Sequence, residues 1–209
     1  MLKVSDLTFQ FPHRQLFRDL SFQIRPGHLL HVKGANGVGK STLVNILCGF
    51  LAPTSGEIAY LKDDTTVDEL RDYLEYLPSE ANGLFLKMNA VANLQFWLSL
   101  RGHTVSEAQL NSALEKWGLG HPILKTPFPV ERYSTGMKRR LALARLTLST
   151  APFWLLDEPI YGLDAEATEI FATELKHHLE QGGLALMVTH ETGILADLPH
   201  ETLILGGKP

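Results

Sequence analysis

Apolar and polar positions alternate with two different periods along these 209 residues. Residues 2–9 alternate with period two and 20–24 carry a second apolar run. Both predict strands, with Pro26-Gly27 turning the chain after the second. Residues 28–33 predict a short buried strand, 42–48 a helix, and 54–60 a turn followed by a strand. Residues 67–72 look locally helical and 73–77 predict a strand. From Gly83 to Arg132 the β signal fades. Residues 91–100 and 106–117 have helical spacing, with Leu110, Leu114 and Trp117 on one face and Ser106-Glu107 at the start of the second helix. Pro122, Pro127 and Pro129 then predict an extended connector. Beyond it, 137–148 is helical, 153–156 a buried strand, 165–181 a long helix and 184–189 another buried strand. Alternation of this kind predicts an α/β core with a parallel sheet, interrupted by an inserted helical segment.

Composition narrows the partners. Nineteen Lys+Arg stand against 23 Asp+Glu, a formal net charge of −4, which gives no overall electrostatic reason to expect nucleic acid. The single cysteine, Cys48, excludes an internal disulfide, fits a reducing compartment, and by its place on the helix reads as a structural thiol. No apolar run is long enough to span a membrane and the N-terminus lacks a signal-peptide pattern, so a cytosolic protein is expected.

The chemistry starts at Gly34-Ala35-Asn36-Gly37-Val38-Gly39-Lys40-Ser41-Thr42, a full match to the phosphate-binding loop between a strand and a helix. Glycines there let backbone N–H groups turn inward around an anion, and the helix adds its positive end. Lys40 is placed for the β- and γ-phosphates and the Ser41 hydroxyl for Mg²⁺. Asp157-Glu158 end a buried apolar run, where open α/β sheets bind ligands. Asp157 suits the Mg²⁺ site, and Glu158 is placed to polarise the water that attacks the γ-phosphate. His190 ends the strand 184–189 in an equivalent position, where a neutral imidazole can sense the γ-phosphate. By position alone Phe11 reads as core, and His177-His178 as a solvated helix face.

The run from Arg132 to Arg145, RYSTGMKRRLALAR, lies shortly before the Asp157-Glu158 strand. It resembles the signature loop and helix of ATP-binding cassette (ABC) ATPases, and the resemblance covers nearly the whole chain. It implies a P-loop ATPase core with a parallel sheet, an N-terminal antiparallel β-subdomain and a helical subdomain inserted at about 84–132, in one nucleotide-binding domain. It implies that Phe11 stacks on adenine, and that Ser134, Thr135 and Gly136 meet the γ-phosphate held by a second protomer. It further implies that Tyr161-Gly162-Leu163-Asp164 is the loop that communicates across the dimer, with Asp164 at the site, and that His190 is the switch histidine. Two ATP molecules with Mg²⁺ would lie between head-to-tail protomers. Thr135 stands where the family usually has Gly or Ala, and Met137 where Gln is common. Spacing puts Glu80 at the usual Gln of the loop that contacts Mg²⁺ or the attacking water, or Ser79 if the gap is placed differently.

Short entry, Phe128-Pro129-Val130-Glu131-Arg132 before the signature and Glu180-Gln181-Gly182-Gly183 before the last strand resemble the ATPase of the haem-exporter-like complex in bacterial cytochrome c maturation. That resemblance implies integral membrane partner subunits, a peripheral place on the cytoplasmic face of the inner membrane, and no direct haem binding by this chain. Another small ABC exporter, for lipid, drug or ions, is the alternative; a soluble cassette ATPase is a more distant one. Phe85, Phe96 and Trp97 lie where a membrane subunit would dock, although the sequence by itself favours them as core.

Overall fold

In the computed structural model, residues 1–63, 65–67, 70–79, 83–122, 128–196 and 198–206 are described. They divide into two compact units: Met1–Tyr76 with Ala151–Glu158 and His178–Pro209, and Leu77–Thr150 with Pro159–His177.

The first unit begins with a long hairpin. Strand β1 (Leu2–Phe11) buries Leu2 and Val4, then Leu7 and Phe9, so its inward phase slips by one residue. A bulge makes the slip: Asp6 takes φ 50°, the pairing with β2 (Arg14–Ile24) shifts between Val4 and Leu7, and the alternation resumes. The first half of β2 runs ahead of the 20–24 expected from sequence. Strands β4 (Ser55–Lys62) and β5 (Thr65–Thr66) complete an antiparallel sheet of order β2-β1-β4-β5.

The second sheet has the order β6-β7-β8-β3-β9, formed by β3 (Leu29–Lys33), β6 (Leu74–Leu77), β7 (Phe153–Asp157), β8 (Leu184–Val188) and β9 (His200–Ile204). Pairing is parallel between β7 and β8, β8 and β3, and β3 and β9. All five residues of β7 and of β8 are buried, as expected for central strands covered on both faces. Helix α1 (Lys40–Leu47) puts Leu43, Val44, Ile46 and Leu47 into a core shared with Leu2, Val4 and Leu7 of one sheet and Val32, Leu155 and Leu186 of the other. A short α2 (Leu70–Tyr73) precedes β6.

The second unit is helical. It contains α3 (Ala90–Leu100), α4 (Glu107–Lys116), a 3₁₀ turn at Val130–Arg132, α5 (Thr135–Leu148) and most of α6 (Ala165–Glu180). Ser106 does start α4, with Gln109 completing the reciprocal capping pair. Leu110, Leu114 and Trp117 are all buried. The Asn93 side chain, also buried, closes the preceding loop: its carbonyl accepts from the Phe85 N–H at 2.8 Å and its amide donates to the Phe85 and Asn89 carbonyls at 3.0 Å each.

Candidate functional site

Three neighbouring strands of the parallel sheet end in one row. In register, Asp157 pairs with Val188 and Val188 with Val32. The residues one or two steps further on are therefore Glu158, the pair Thr189-His190, and the start of the phosphate loop. Parallel strands leave such a crevice at their C-terminal edge, and three of the motifs found in sequence meet there.

The phosphate loop ends in an uncapped helix. Gly39 is the N-cap of α1, with no side-chain hydrogen bond to the helix N-terminus and no acidic residue in the first turn. Its φ of 115° suits glycine, and a Cβ there would meet Leu16 at 3.2 Å. Backbone donors and the positive end of the helix dipole are thus left for an anion. Lys40 folds back over the loop, its Nζ donating to the carbonyls of Gly34 at 2.8 Å and Ala35 at 3.2 Å. Ala35, Asn36, Gly37 and Ser41 are exposed, while Gly34, Val38, Lys40 and Thr42 are partly buried.

Asp157 is buried at the end of β7, and its charge is felt at Cys48, the C-cap of α1. Burial, and then Asp157, pushes the Cys48 thiol up to about 12, so it is a structural, unreactive thiol as expected. Ser41 and Asp157 offer one hydroxyl and one carboxylate. That donor set fits Mg²⁺, which keeps waters and phosphate oxygens rather than taking an all-protein cage. The described residues hold no group of three or more His, Cys, Asp or Glu able to bind a metal unaided.

Glu158 takes φ 47°, a left-handed conformation that is uncommon for a residue with a side chain. Its N–H still donates to the Val188 carbonyl at 2.8 Å. Its carboxylate meets His190 twice: Oε2 accepts the His190 backbone N–H at 3.3 Å, and Oε1 lies 3.6 Å from Nε2. On the neighbouring strand β3, His31 is fully buried, its Nε2–H donating to the Thr189 carbonyl at 3.1 Å. Burial lowers the His31 pKa most; the Thr189 hydrogen bond opposes that, and Lys33 and His200 lower it further. Sequence reasoning passed over His31, and its only signal was a histidine inside an apolar strand. Phe11, at the end of β1, is 49% exposed with its edge toward Phe9, so it is not the core residue its position suggested.

In the second unit, Ser134 caps α5, its hydroxyl accepting the Met137 N–H at 3.2 Å. Thr135 is exposed beside it, and a Cβ on Gly136 would come within 3.1 Å of the Gly162 carbonyl. Asp164 caps α6 through the Ala167 N–H at 2.9 Å and receives Arg140 Nη2 at 2.7 and 2.5 Å. Those bonds, the Ala167 N–H first, hold its carboxyl below the usual range. Tyr161 in the same loop is 65% exposed. Arg139 is buried and donates to the carbonyls of Pro159 at 2.9 Å and Pro78 at 2.6 Å. Neither arginine was singled out from sequence. Glu80 lies outside the described residues.

Two expectations are corrected. His178 is not on a solvated face: its ring stacks on buried Trp154, centroids 3.9 Å apart, and its Nε2 bonds the Leu184 carbonyl at 3.2 Å. Phe85, Phe96 and Trp97 are not core. Phe85 is exposed and the other two are partly buried; Phe85 meets Phe96 edge to face and Trp97 at a tilt, and the indole N–H ties the cluster to the Gly83 carbonyl at 2.7 Å.

The family model described as ABC transporter matches residues 17–161. The cytochrome c biogenesis ATP-binding export protein CcmA of Vibrio cholerae is 35% identical over 210 residues, spanning 100% of both chains. The CcmA of Bordetella bronchiseptica is 40% identical over 178 residues, covering 84% of this chain and 78% of its own. Among solved structures, a dimeric post-hydrolysis ATP-binding cassette with ADP and Pi superposes with a TM-score of 0.81 at 22% identity, over 98% of this chain and 94% of that one. No helix among the described residues is long and apolar enough to cross a membrane. By model, relatives and fold together, the chain belongs to the ATP-binding cassette family of transporter ATPases, alongside the CcmA proteins of cytochrome c biogenesis.

Proposed function

We propose that this chain is the motor subunit of a membrane transporter in cytochrome c biogenesis, hydrolysing ATP between two head-to-tail copies of itself. The observation that carries the reading is the row formed by the ends of β3, β7 and β8. There the phosphate loop follows β3, whose Val32 lies in register with Val188 and Asp157, and Glu158 touches His190. Whole-length similarity to CcmA proteins supports the pathway, and the dimeric cassette structure supports the second protomer.

In this mechanism Phe11 stacks on adenine, and residues 34–42 wrap the phosphates with backbone N–H groups. Lys40 leaves the Gly34 and Ala35 carbonyls for the β- and γ-phosphates. Ser41 and Asp157, with Glu80, would hold Mg²⁺, which would supply charge neutralisation on the phosphate oxygens. Glu158 takes a proton from the attacking water as its oxygen bonds to the γ-phosphorus. The bond from that phosphorus to the β,γ-bridging oxygen breaks, and ADP keeps the electron pair. His190 contacts the γ-phosphate and registers its departure. Ser134, Thr135 and Gly136 complete the site of the partner protomer at the N-terminus of α5, which the Ser134 hydroxyl caps, and Asp164 holds that helix in place through Arg140. A monomer then has only half of each site, so hydrolysis depends on dimerisation.

One nucleotide-binding domain with its insertion at 84–132 would dock the membrane subunits through the Phe85-Phe96-Trp97 cluster, placing the chain on the cytoplasmic face of the inner membrane. Purification from detergent-solubilised membranes tests this. Recovery of haem-handling cytochrome c maturation subunits supports the pathway; a different permease keeps the motor and replaces the pathway. A soluble complex with no membrane protein would sink the transporter reading.

A further inference from the structure

The turn between β1 and β2 brings a second cation to the phosphate loop. Arg14, first residue of β2, pairs across the hairpin with Phe11. It is exposed, and its Nη2 donates to the Gly37 carbonyl at 2.8 Å. Among the described residues its other N–H donors have no acceptor and no carboxylate neutralises it. Lys40 holds the loop carbonyls of Gly34 and Ala35, so two guests with positive charge sit on backbone oxygens around one anion cradle. A Cβ built on Gly37 meets nothing within 4 Å, so the loop is open beside that contact.

The ends of a nucleotide in this site are fixed by Phe11 for the base and by Lys40 for the β- and γ-phosphates. What joins them is the ribose and the α-phosphate. Arg14 reaches from the hairpin that carries Phe11 to the middle of the loop that ends in Lys40.

We infer that Arg14 binds the α-phosphate, moving from the Gly37 carbonyl onto a non-bridging α-phosphate oxygen when nucleotide enters. The inference rests on the nucleotide-site reading above. Exchange of a neutral carbonyl for an anionic oxygen makes the guanidinium bond charge-assisted. The side chain already lies against the loop, so little ordering remains to be done on binding. A merely structural arginine would hold the Gly37 turn and nothing more.

The two roles separate by ligand. Affinities of adenosine, AMP and ADP are measured by competition against a fluorescent ATP analogue, for the full chain and for Arg14→Gln, Arg14→Lys and Lys40→Ala. Arg14→Gln keeps an N–H for the carbonyl and removes the charge. It is expected to weaken AMP and ADP by one common factor, roughly tenfold to a hundredfold, with adenosine unchanged. Arg14→Lys should recover part of the loss. AMP affinity equal to wild type in Arg14→Gln overturns the inference, as does a loss confined to the ADP-to-AMP ratio, which would mark a structural role. Lys40→Ala keeps the failures apart. If it loses ADP while Arg14→Gln does not, only the Arg14 role falls. If wild type binds ADP no better than adenosine and Lys40→Ala changes nothing, the nucleotide site itself is wrong.

Discussion

Glu158 and His190 meet at the end of the central strands: carboxylate Oε1 stands 3.6 Å from the imidazole Nε2, and Oε2 accepts the His190 backbone N–H at 3.3 Å. The contact ties the residue that would take the proton of water to the residue that would sense the γ-phosphate. Glu158→Gln keeps an acceptor for the backbone N–H and loses the base. Phosphate release should fall by roughly a hundredfold or more, with ATP still bound and a dimer trapped, visible by size exclusion in ATP. His190→Ala should also lose turnover. Normal phosphate release by Glu158→Gln would remove Glu158 from the role of base.

The left-handed backbone of Glu158 has a measurable cost. A side chain in that region is disfavoured by about 1 kcal/mol, and glycine is exempt. Glu158→Gly should therefore be more stable than Glu158→Ala by about that amount in urea unfolding, after allowance for the greater freedom of glycine in the unfolded chain. If alanine proves the more stable, the conformation is not strained in solution.

Much of this was legible because phosphate chemistry demands particular residues at a particular spacing, and because buried parallel strands must be apolar. The strands expected at 153–156 and 184–189 announced themselves in that way, and they form at Phe153–Asp157 and Leu184–Val188. Strand β9 did not. His200, Glu201 and Thr202 make no apolar pattern, since this edge strand is held to β3 by its backbone ladder, with Leu203 packing against the core. His178 misled because its partner, Trp154, lies far away in sequence. Within Lys138-Arg139-Arg140, composition cannot tell which cation turns inward; tertiary contacts chose Arg139. Nothing in the residue type of Glu158 foretold its left-handed turn, which is set by the ladder to Val188.

Arg139 offers a test of the second unit. Its guanidinium is buried and serves the carbonyls of Pro159 and Pro78, which lie on loops far apart in sequence. Arg139→Ala withdraws the donor from both and should cost roughly 3 kcal/mol in equilibrium unfolding. Arg139→Lys retains charge but lacks the planar fork, and should fall between the two. A loss below about 0.5 kcal/mol for the alanine variant would mean that the buried bonds contribute nothing net.

His31 should make stability depend on pH. Burial lowers its pKa in the folded protein below the ordinary 6.5. As pH falls through 6.5 the unfolded chain takes up a proton at this ring and the folded chain does not, so the unfolded state is favoured. The contribution is complete above 6.5 and is lost as the pH falls below it, at up to about 1.4 kcal/mol per pH unit. His31→Gln retains an N–H for the Thr189 carbonyl and does not titrate. Urea unfolding between about pH 7 and about pH 5 should then show a shallower loss in the variant than in wild type, the other histidines being common to both. Equal slopes would mean that His31 is protonated in the folded protein at the same pH as in the unfolded chain. In that case the imidazole bonded to the carbonyl of Thr189, the residue before His190, would gain charge at mildly acidic pH.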